Sequence, residues 1–348
     1  MAIEAEHAIQ LANALLQAAG MSADQGDAVA RRLVDGDLFG HSTHGLALLP
    51  LYLERLRSGE IETKRSVQVL TDRGNVFAWD AHRLPGAWVL ELAIKQAIQR
   101  SREHHVVSAS IANSAHVGCL QAYLEAIGEA KLMAIMSVTD PAVSSVAPYG
   151  GVEPLLTSNP IAACIPTQGD PILIDQCTSV MSNFAARSWI GKGAKLPGPW
   201  LLDASGGISD DPDVLLGDPP GTIQLLGGSE FGYKGFGLSL LVEALALGLS
   251  GYGRNVPHAR GGQGVFLLII DPDGFAGKTQ FLQQMSEFAD RCRDSVPAAP
   301  ERPVRMPGDR ALAHKRERLK NGLHWEEATI IAINHWAHRL GISPFPFC

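Results

Sequence analysis

The residues best suited to chemistry fall in short clusters that join proton-transfer groups to glycines. The first is Gly40-His41-Ser42-Thr43-His44-Gly45, with two imidazoles, two hydroxyls and flanking glycines. Imidazole titrates near neutrality and glycine lets a ligand approach the backbone, so the segment suits acid/base work on a bound molecule. Histidines three positions apart are also compatible with metal ligation, but no third ligand at a familiar zinc spacing accompanies them, and no metal site is expected. A polar helix end whose side chains cap backbone groups is a further reading of the same residues. The second cluster, Asn113-Ser114-Ala115-His116-Val117-Gly118, follows a β-rich run, Val106 to Ile111. Strand ends feeding glycine-containing loops are where open α/β sheets hold ligands, which makes His116 a candidate acid/base alongside a purely structural role.

The third cluster pairs Thr157-Ser158-Asn159-Pro160 with Asp175-Gln176-Cys177-Thr178-Ser179. Asp175 ends the apolar run Ile172 to Ile174, where it can orient an imidazole or cap a following helix. The fourth, Gly232-Tyr233-Lys234-Gly235-Phe236-Gly237, precedes an apolar helix, and its free N–H groups and lysine would suit a phosphate. No G-x-G-x-x-G lies between a strand and a helix with an acid about twenty residues on, so an ordinary Rossmann fingerprint is missing, as is a P-loop. There is no G-x-S-x-G elbow either.

These clusters need elements to hold them. Apolar residues recur at three and four positions over Glu4 to Gly20, Ser22 to Phe39 and Leu46 to Arg57, predicting amphipathic helices, with Ser22 and Gln25 as a capping pair for the second. Strands are expected at Ser66 to Leu70, Asn75 to Trp79, Val106 to Ile111, Leu132 to Val138, Pro160 to Ile165, Ile172 to Ile174 and Gly264 to Asp271. Helices are expected at Gly86 to Glu103, Leu120 to Ala130, Gly235 to Ser250, Arg310 to Leu319 and Glu326 to Leu340. The Gly-, Pro- and Asp-rich stretch Leu196 to Gly228 reads as loop covering a site, and Pro297 to Pro307 as a linker. This alternation is that of an α/β protein.

Composition narrows the function. With 348 residues, 46% apolar and 19% charged, the chain can bury a large core without a staple. A formal charge of -7 argues against a nucleic-acid partner. The cysteines Cys119, Cys164, Cys177, Cys292 and Cys348 contain no C-x-x-C pair, which points to a reducing compartment. The acidic start Met1 to His7 lacks the marks of a secretory leader, and the apolar run Leu238 to Ser250 is too short to span a bilayer, so a cytoplasmic location without membrane contact is expected.

Taken in order, the clusters resemble the malate/L-lactate dehydrogenase family, which includes ureidoglycolate and sulfolactate dehydrogenases and the piperideine- and pyrroline-2-carboxylate reductases. Thr43-His44-Gly45 is similar to its Ser-His-Gly, Asn113 to His116 to its Asn-Ser-x-His, and Asp175 to Ser179 to its Asp-x-Ala-Thr-Ser. Pro148-Tyr149-Gly150-Gly151 through Ser158-Asn159-Pro160, Tyr233 to Leu238 and Arg305-Met306-Pro307-Gly308 match further motifs, so the resemblance runs over nearly the whole chain. It implies a non-Rossmann mixed-sheet domain binding NAD or NADP, residues 71–299, with a helical lobe from both chain ends, 1–70 and 300–348, in a homodimer. It implies hydride transfer between nicotinamide and a small 2-oxo or 2-hydroxy acid, a small-molecule carboxylate. By resemblance His116 is the acid/base, Asp175 holds that imidazole and contacts the cofactor, and His44 acts with Thr43 on the substrate side. Thr139, Asn159, Gln176, Cys177, Lys234, Met306, Pro307 and Gly308 take cofactor positions.

The chain departs from the pattern at Leu48, where the family has an arginine for the substrate carboxylate, at Phe184-Ala185 in place of Gly-Lys, and at Cys177 in place of alanine. Leu48 makes residue 48 a substrate-reading position and leaves open a cyclic-imine reductase using NADPH, or a catalytically silent ligand-binding relative.

Overall fold

A computed structural model describes residues 2–255, 257–258 and 261–345; Cys348 lies outside them. The expected amphipathic pair forms α1 (Ala5–Ala18) and α2 (Ala23–Leu38). α1 buries Leu11, Leu15 and Leu16, and α2 opens on the capping box of Ser22 and Gln25. Each residue's backbone N–H donates to the other's side chain, at 3.1 and 3.4 Å, satisfying donors that a helix start leaves free. Two single 3-10 turns, Ser42–His44 and Leu46–Leu48, then lead into α3 (Leu49–Arg57).

The central sheet has the order β1 (Gln68–Asp72), β2 (Val76–Asp80), β3 (Val106–Ser114), β10 (Gln263–Ile270), β4 (Met133–Thr139), β5 (Ile161–Ile165), β6 (Ile172–Gln176). β2 and β3, linked through α4 (Gly86–His104), are parallel, and the remaining neighbours are antiparallel. The sheet is therefore mixed. α4 packs on β3 and β10, and α5 (Gln121–Glu129) on β4, β5 and β6. Strand β3 is buried along most of its length, with Val107, Ala109 and Ile111 on one face alternating with Ser108 and Ser110 on the other.

Register decides where the chemistry collects. Ser114 pairs with Gln263, Thr139 with Gly264, and Ile161 with both Ser137 and Gln176. The C-terminal ends of β3, β4 and β6 and the N-terminal ends of β5 and β10 consequently share one edge of the sheet.

The stretch Leu196 to Gly228, expected as mostly loop or turn over a site, is mostly loop and turn but does not cover the site. It carries short strands β7 (Leu201–Leu202), β8 (Ile208–Ser209) and β9 (Thr222–Ile223), ordered β8-β7-β9, around a separate small core that includes Val146, Leu156, Ala186 and Ile223. None of its residues lines the cavity described below. Two-residue strands leave no readable alternation, and their pairing is tertiary. The short helix α6 (Asn183–Arg187) packs on the same core through Ala186. α7 (Gly228–Val242) begins earlier than expected and passes into a π-helical turn, Glu243–Gly248, against β3, β4 and β10. α8 (Lys278–Arg293) has no counterpart in the sequence reading, because it buries only Ala289 and its apolar face is thin. α9 (Asp309–Asn321) and α10 (Glu327–Leu340) return to the N-terminal helices, where Ile3 and Leu323 exchange backbone hydrogen bonds of 3.0 and 2.8 Å. Among the described residues no helix is long and apolar enough to cross a membrane.

Candidate active site

At that sheet edge lies a cavity of about 320 Å³ with His116 and His44 in its wall. Thr43, Leu48, Thr139 and Phe184 line it too, with Thr157, Ser158 and Pro160, so several segments singled out from sequence meet there. The two imidazoles lie nearly parallel, with ring centroids 6.1 Å apart and planes at 15°. The Tyr52 hydroxyl sits 2.6 Å from His116 Nδ1, and the Gly118 N–H donates to the same nitrogen at 3.3 Å. His116 Nε2 is thus the nitrogen left for a ligand. A phenol donates and accepts, so Tyr52 can match Nδ1 in either protonation state, whereas the Gly118 N–H bond exists only while Nδ1 is unprotonated.

Burial, with the charges of His44 and Arg55, pulls His116 down to about 3, and burial with His41 pulls His44 to about 4. Burial raises the Tyr52 phenol well above its ordinary value. At neutral pH the site therefore presents two neutral imidazoles and a protonated phenol.

Asp37 of α2 holds the turns that carry Thr43 and His44. Its buried carboxylate accepts from the Leu46 N–H at 2.8 Å and from the Trp325 indole at 2.7 Å, tying the segment to the C-terminal part of the chain. Burial pushes Asp37 up to about 6. A Cβ on Gly45 would stand 1.9 Å from an Asp37 oxygen, so this position of the cluster admits only glycine.

Asp175 does not hold His116, and that expectation is corrected. Its carboxylate accepts from the Gln121 N–H at 2.9 Å and faces the Cys119 thiol at 3.9 Å, while Tyr52 occupies the place at His116. His41 Nε2 lies 2.7 Å from Gln121 Oε1, so His41, Cys119 and Asp175 converge within 4.8 Å of one another. These are metal-ligand types, but burial beside Asp175 raises the Cys119 thiol strongly, and the cluster is satisfied through Gln121. The loop 115–121 thus presents His116 and Leu120 to the cavity and Cys119 and Gln121 to Asp175.

Asn159 is also corrected. It is fully buried, and both amide atoms are spent inside the protein: Oδ1 accepts from Thr139 at 2.7 Å, and Nδ2 donates to Glu243 at 2.8 Å. Arg254 completes the network with two bonds to Glu243, at 2.8 and 2.9 Å, and others to the carbonyls of Pro141 and Val143. The polar string at 157–160 reads the same whether it faces a ligand or the interior; only packing distinguishes them.

Gln176 and Cys177 follow Asp175 at the end of β6. Met306, Pro307 and Gly308 dock on the same strand through the Leu173 N–H, which donates to Pro307 O at 3.0 Å. Gly308 has φ +97°, and a Cβ there would come within 2.9 Å of Leu173. Lys234 stands apart, exposed on α7, its ammonium 5.1 Å from the Phe231 ring centre.

Several cavity residues escaped the sequence reading, among them Arg55, Asp140 and Asn183; Tyr52 escaped it behind His116. Leu48, Tyr52 and Arg55 are spaced i, i+4, i+7, one helical stripe, and that spacing was the available signal. Asn183 offers a test of fit for a nicotinamide. Its Nδ2 donates to Thr157 at 2.7 Å, whereas its buried Oδ1 has no partner among the described residues. An unpaired acceptor beside the apolar surfaces of Leu120, Val138 and Pro160 matches a flat ring bearing a carboxamide N–H.

A family model described as malate/L-lactate dehydrogenase matches residues 3–334. The chain is 28% identical to the malate/(S)-sulfolactate dehydrogenase of Methanothermus fervidus, over 99% of each chain. It is 30% identical to the (2R)-3-sulfolactate dehydrogenase (NADP(+)) of Chromohalobacter salexigens, over 96% of this chain and 98% of that one. Among solved structures, the Δ1-piperideine-2-carboxylate reductase of Pseudomonas syringae pathovar tomato superimposes with a TM-score of 0.86 at 25% identity, over 97% of this chain and all (100%) of that one.

Proposed function

The chain belongs to the malate/L-lactate dehydrogenase family, an NAD(P)-dependent oxidoreductase of small hydroxy acids, and on that premise we propose that it acts on a 2-oxo or 2-imino acid with one carboxylate and an apolar or ring-shaped remainder. The observation that carries the reading is the His116–Tyr52 pair in a cavity whose wall at residue 48 is leucine. When bound, the nicotinamide supplies or takes up the hydride. His116 gives a proton to the substrate oxygen or nitrogen in reduction and takes it in oxidation, through the nitrogen not facing Tyr52. Tyr52 positions that imidazole, His44 and Thr43 lie on the substrate side, and Leu48 offers surface to an apolar group. Depressed imidazole basicity keeps His116 unprotonated in the free enzyme; an anionic substrate beside it favours the protonated form.

Asn183 and Thr139 would hold the nicotinamide end. Asp175, Gln176, Cys177 and Met306 to Gly308, reached along the loop 115–121, would hold the remainder of the dinucleotide, with Lys234 as a charge contact. The same reading groups 1–70 with 300–348 as a helical lobe beside a non-Rossmann cofactor domain, 71–299, in a cytoplasmic homodimer. Supporting the dimer, Phe231, Tyr233, Leu240 and Leu241 on α7 are half-exposed apolar residues. The test is a fluorescence titration with NADH and NADPH, followed by assays over 2-oxo acids and cyclic imines. Binding of one cofactor and turnover of an apolar monocarboxylate is expected; failure to bind either cofactor removes the reading.

A further inference from the structure

Resting on that reading, we propose that Arg55 takes over the carboxylate-anchoring task that Leu48 cannot perform, so that substrate lies along α3 with its carboxylate at Arg55, its reacting carbon at His116 and its side chain at Leu48. The argument starts from spacing. Leu48, Tyr52 and Arg55 lie at i, i+4 and i+7, on one stripe that spans about 10 Å at 1.5 Å per residue. Leu48 and Arg55 line the cavity, and Tyr52, between them, is bonded to His116 at 2.6 Å. The stripe therefore reads cation, reacting position, apolar surface. A 2-oxo acid reads carboxylate, carbonyl carbon, side chain, in the same order.

The Arg55 guanidinium is available for this. Among the described residues its side chain makes no hydrogen bond, and its nearest carboxylate, Glu60, is 3.7 Å from Nε and half-exposed. Nη1 points toward Gly261, which also lines the cavity and where a Cβ would make ordinary contact with it at 3.5 Å and with Arg83 at 3.4 Å. Arg55 lines the cavity together with His116 and Asp140, which places its guanidinium over the site. An arginine fork grips a carboxylate with parallel bonds, which a lone leucine cannot replace. A second cation in the cavity wall, Arg187, is exposed and sits on α6, away from the Leu48–Tyr52–Arg55 stripe.

The experiment measures binding of oxamate and of its neutral analogue oxamide to the protein loaded with NADH or NADPH, by quenching of cofactor fluorescence. Arg55→Ala is expected to weaken oxamate by about 100-fold, the usual cost of leaving a buried charge without its partner. Oxamide and cofactor affinities should stay within about twofold, the scatter of a surface change, and Arg55→Lys should recover part of the loss. Equal effects on oxamate and oxamide, no wild-type preference for oxamate, or loss confined to Arg187→Ala would each overturn the assignment. Absent cofactor binding would instead count against the dehydrogenase reading itself.

Discussion

The hydroxyl of Tyr52 stands 2.6 Å from Nδ1 of His116, so the imidazole that faces the cavity is oriented by a phenol from α3 and not by a carboxylate. Removing that hydroxyl should loosen the ring without emptying the site. Tyr52→Phe is expected to lower kcat by about 10- to 100-fold, the range for losing a partner that orients an active imidazole. It should leave cofactor affinity unchanged and shift the pH profile, and a structural role alone would not move that profile. Steady-state kinetics across pH check this.

His116→Ala should cost about 10²- to 10⁴-fold in turnover, the usual contribution of a positioned acid or base, with NAD(P)H affinity nearly unaltered. An unaltered turnover number would reject the assignment.

The depressed basicity of His116 has a definite sign in pH dependence. Oxidation of a hydroxy acid needs the unprotonated ring, and with His116 at about 3 in place of its ordinary 6.5 that form persists well below neutrality. Oxidative kcat/KM should stay flat through pH 6.5 and fall only at markedly lower pH; reduction, which needs the protonated ring, should slow as pH rises. The same shift affects stability, because the unfolded chain binds a proton near 6.5 before the folded one does. Stability should therefore decline as pH falls below 6.5, and His116→Gln should decline less. Denaturant titrations of both proteins at pH 7 and pH 5 test the difference; equal declines would count against it.

Lys234→Ala should weaken dinucleotide binding and reduce its salt dependence, as removal of a point charge facing a phosphate does. Identical dissociation constants for the two proteins across a salt series would restrict Lys234 to its contact with Phe231.

Leu48→Arg should raise kcat/KM for oxaloacetate relative to an apolar 2-oxo acid, by about tenfold for each 1.4 kcal/mol of selective binding gained. A second carboxylate is poorly paired against leucine, so wild-type protein should handle malate and oxaloacetate badly. Competition assays with the two acids decide this, and wild-type preference for oxaloacetate would sink it.

Glu243→Gln should destabilise the fold by about 3 kcal/mol, because it leaves Arg254 largely buried without its counter-charge. Urea denaturation measures the loss. Since Glu243 also holds Asn159 and through it Thr139, the cavity wall at Thr139 should loosen as well, seen as weaker cofactor binding.

What could be read without coordinates was whatever is local. The capping pair Ser22 and Gln25, the helical period of α1 to α3, the strand preceding His116 and the linear motifs around His44, Asp175 and Gly308 are all properties of neighbouring residues, and the family follows from their order. Partners across the sheet edge were not legible. The family resemblance named Asp175 as the holder of His116 and nothing in the sequence singled out Tyr52; only the packing of α3 against the loop 115–121 brings Tyr52 to Nδ1 while turning Asp175 toward Gln121. Asn159 sits in a ligand-like string, yet its amide is consumed by Thr139 and Glu243, the latter 84 residues away. A side chain's chemistry is written in its type, but the groups that satisfy it come from segments distant along the chain. Strand register and helix packing alone decide whether it faces a cavity or the core.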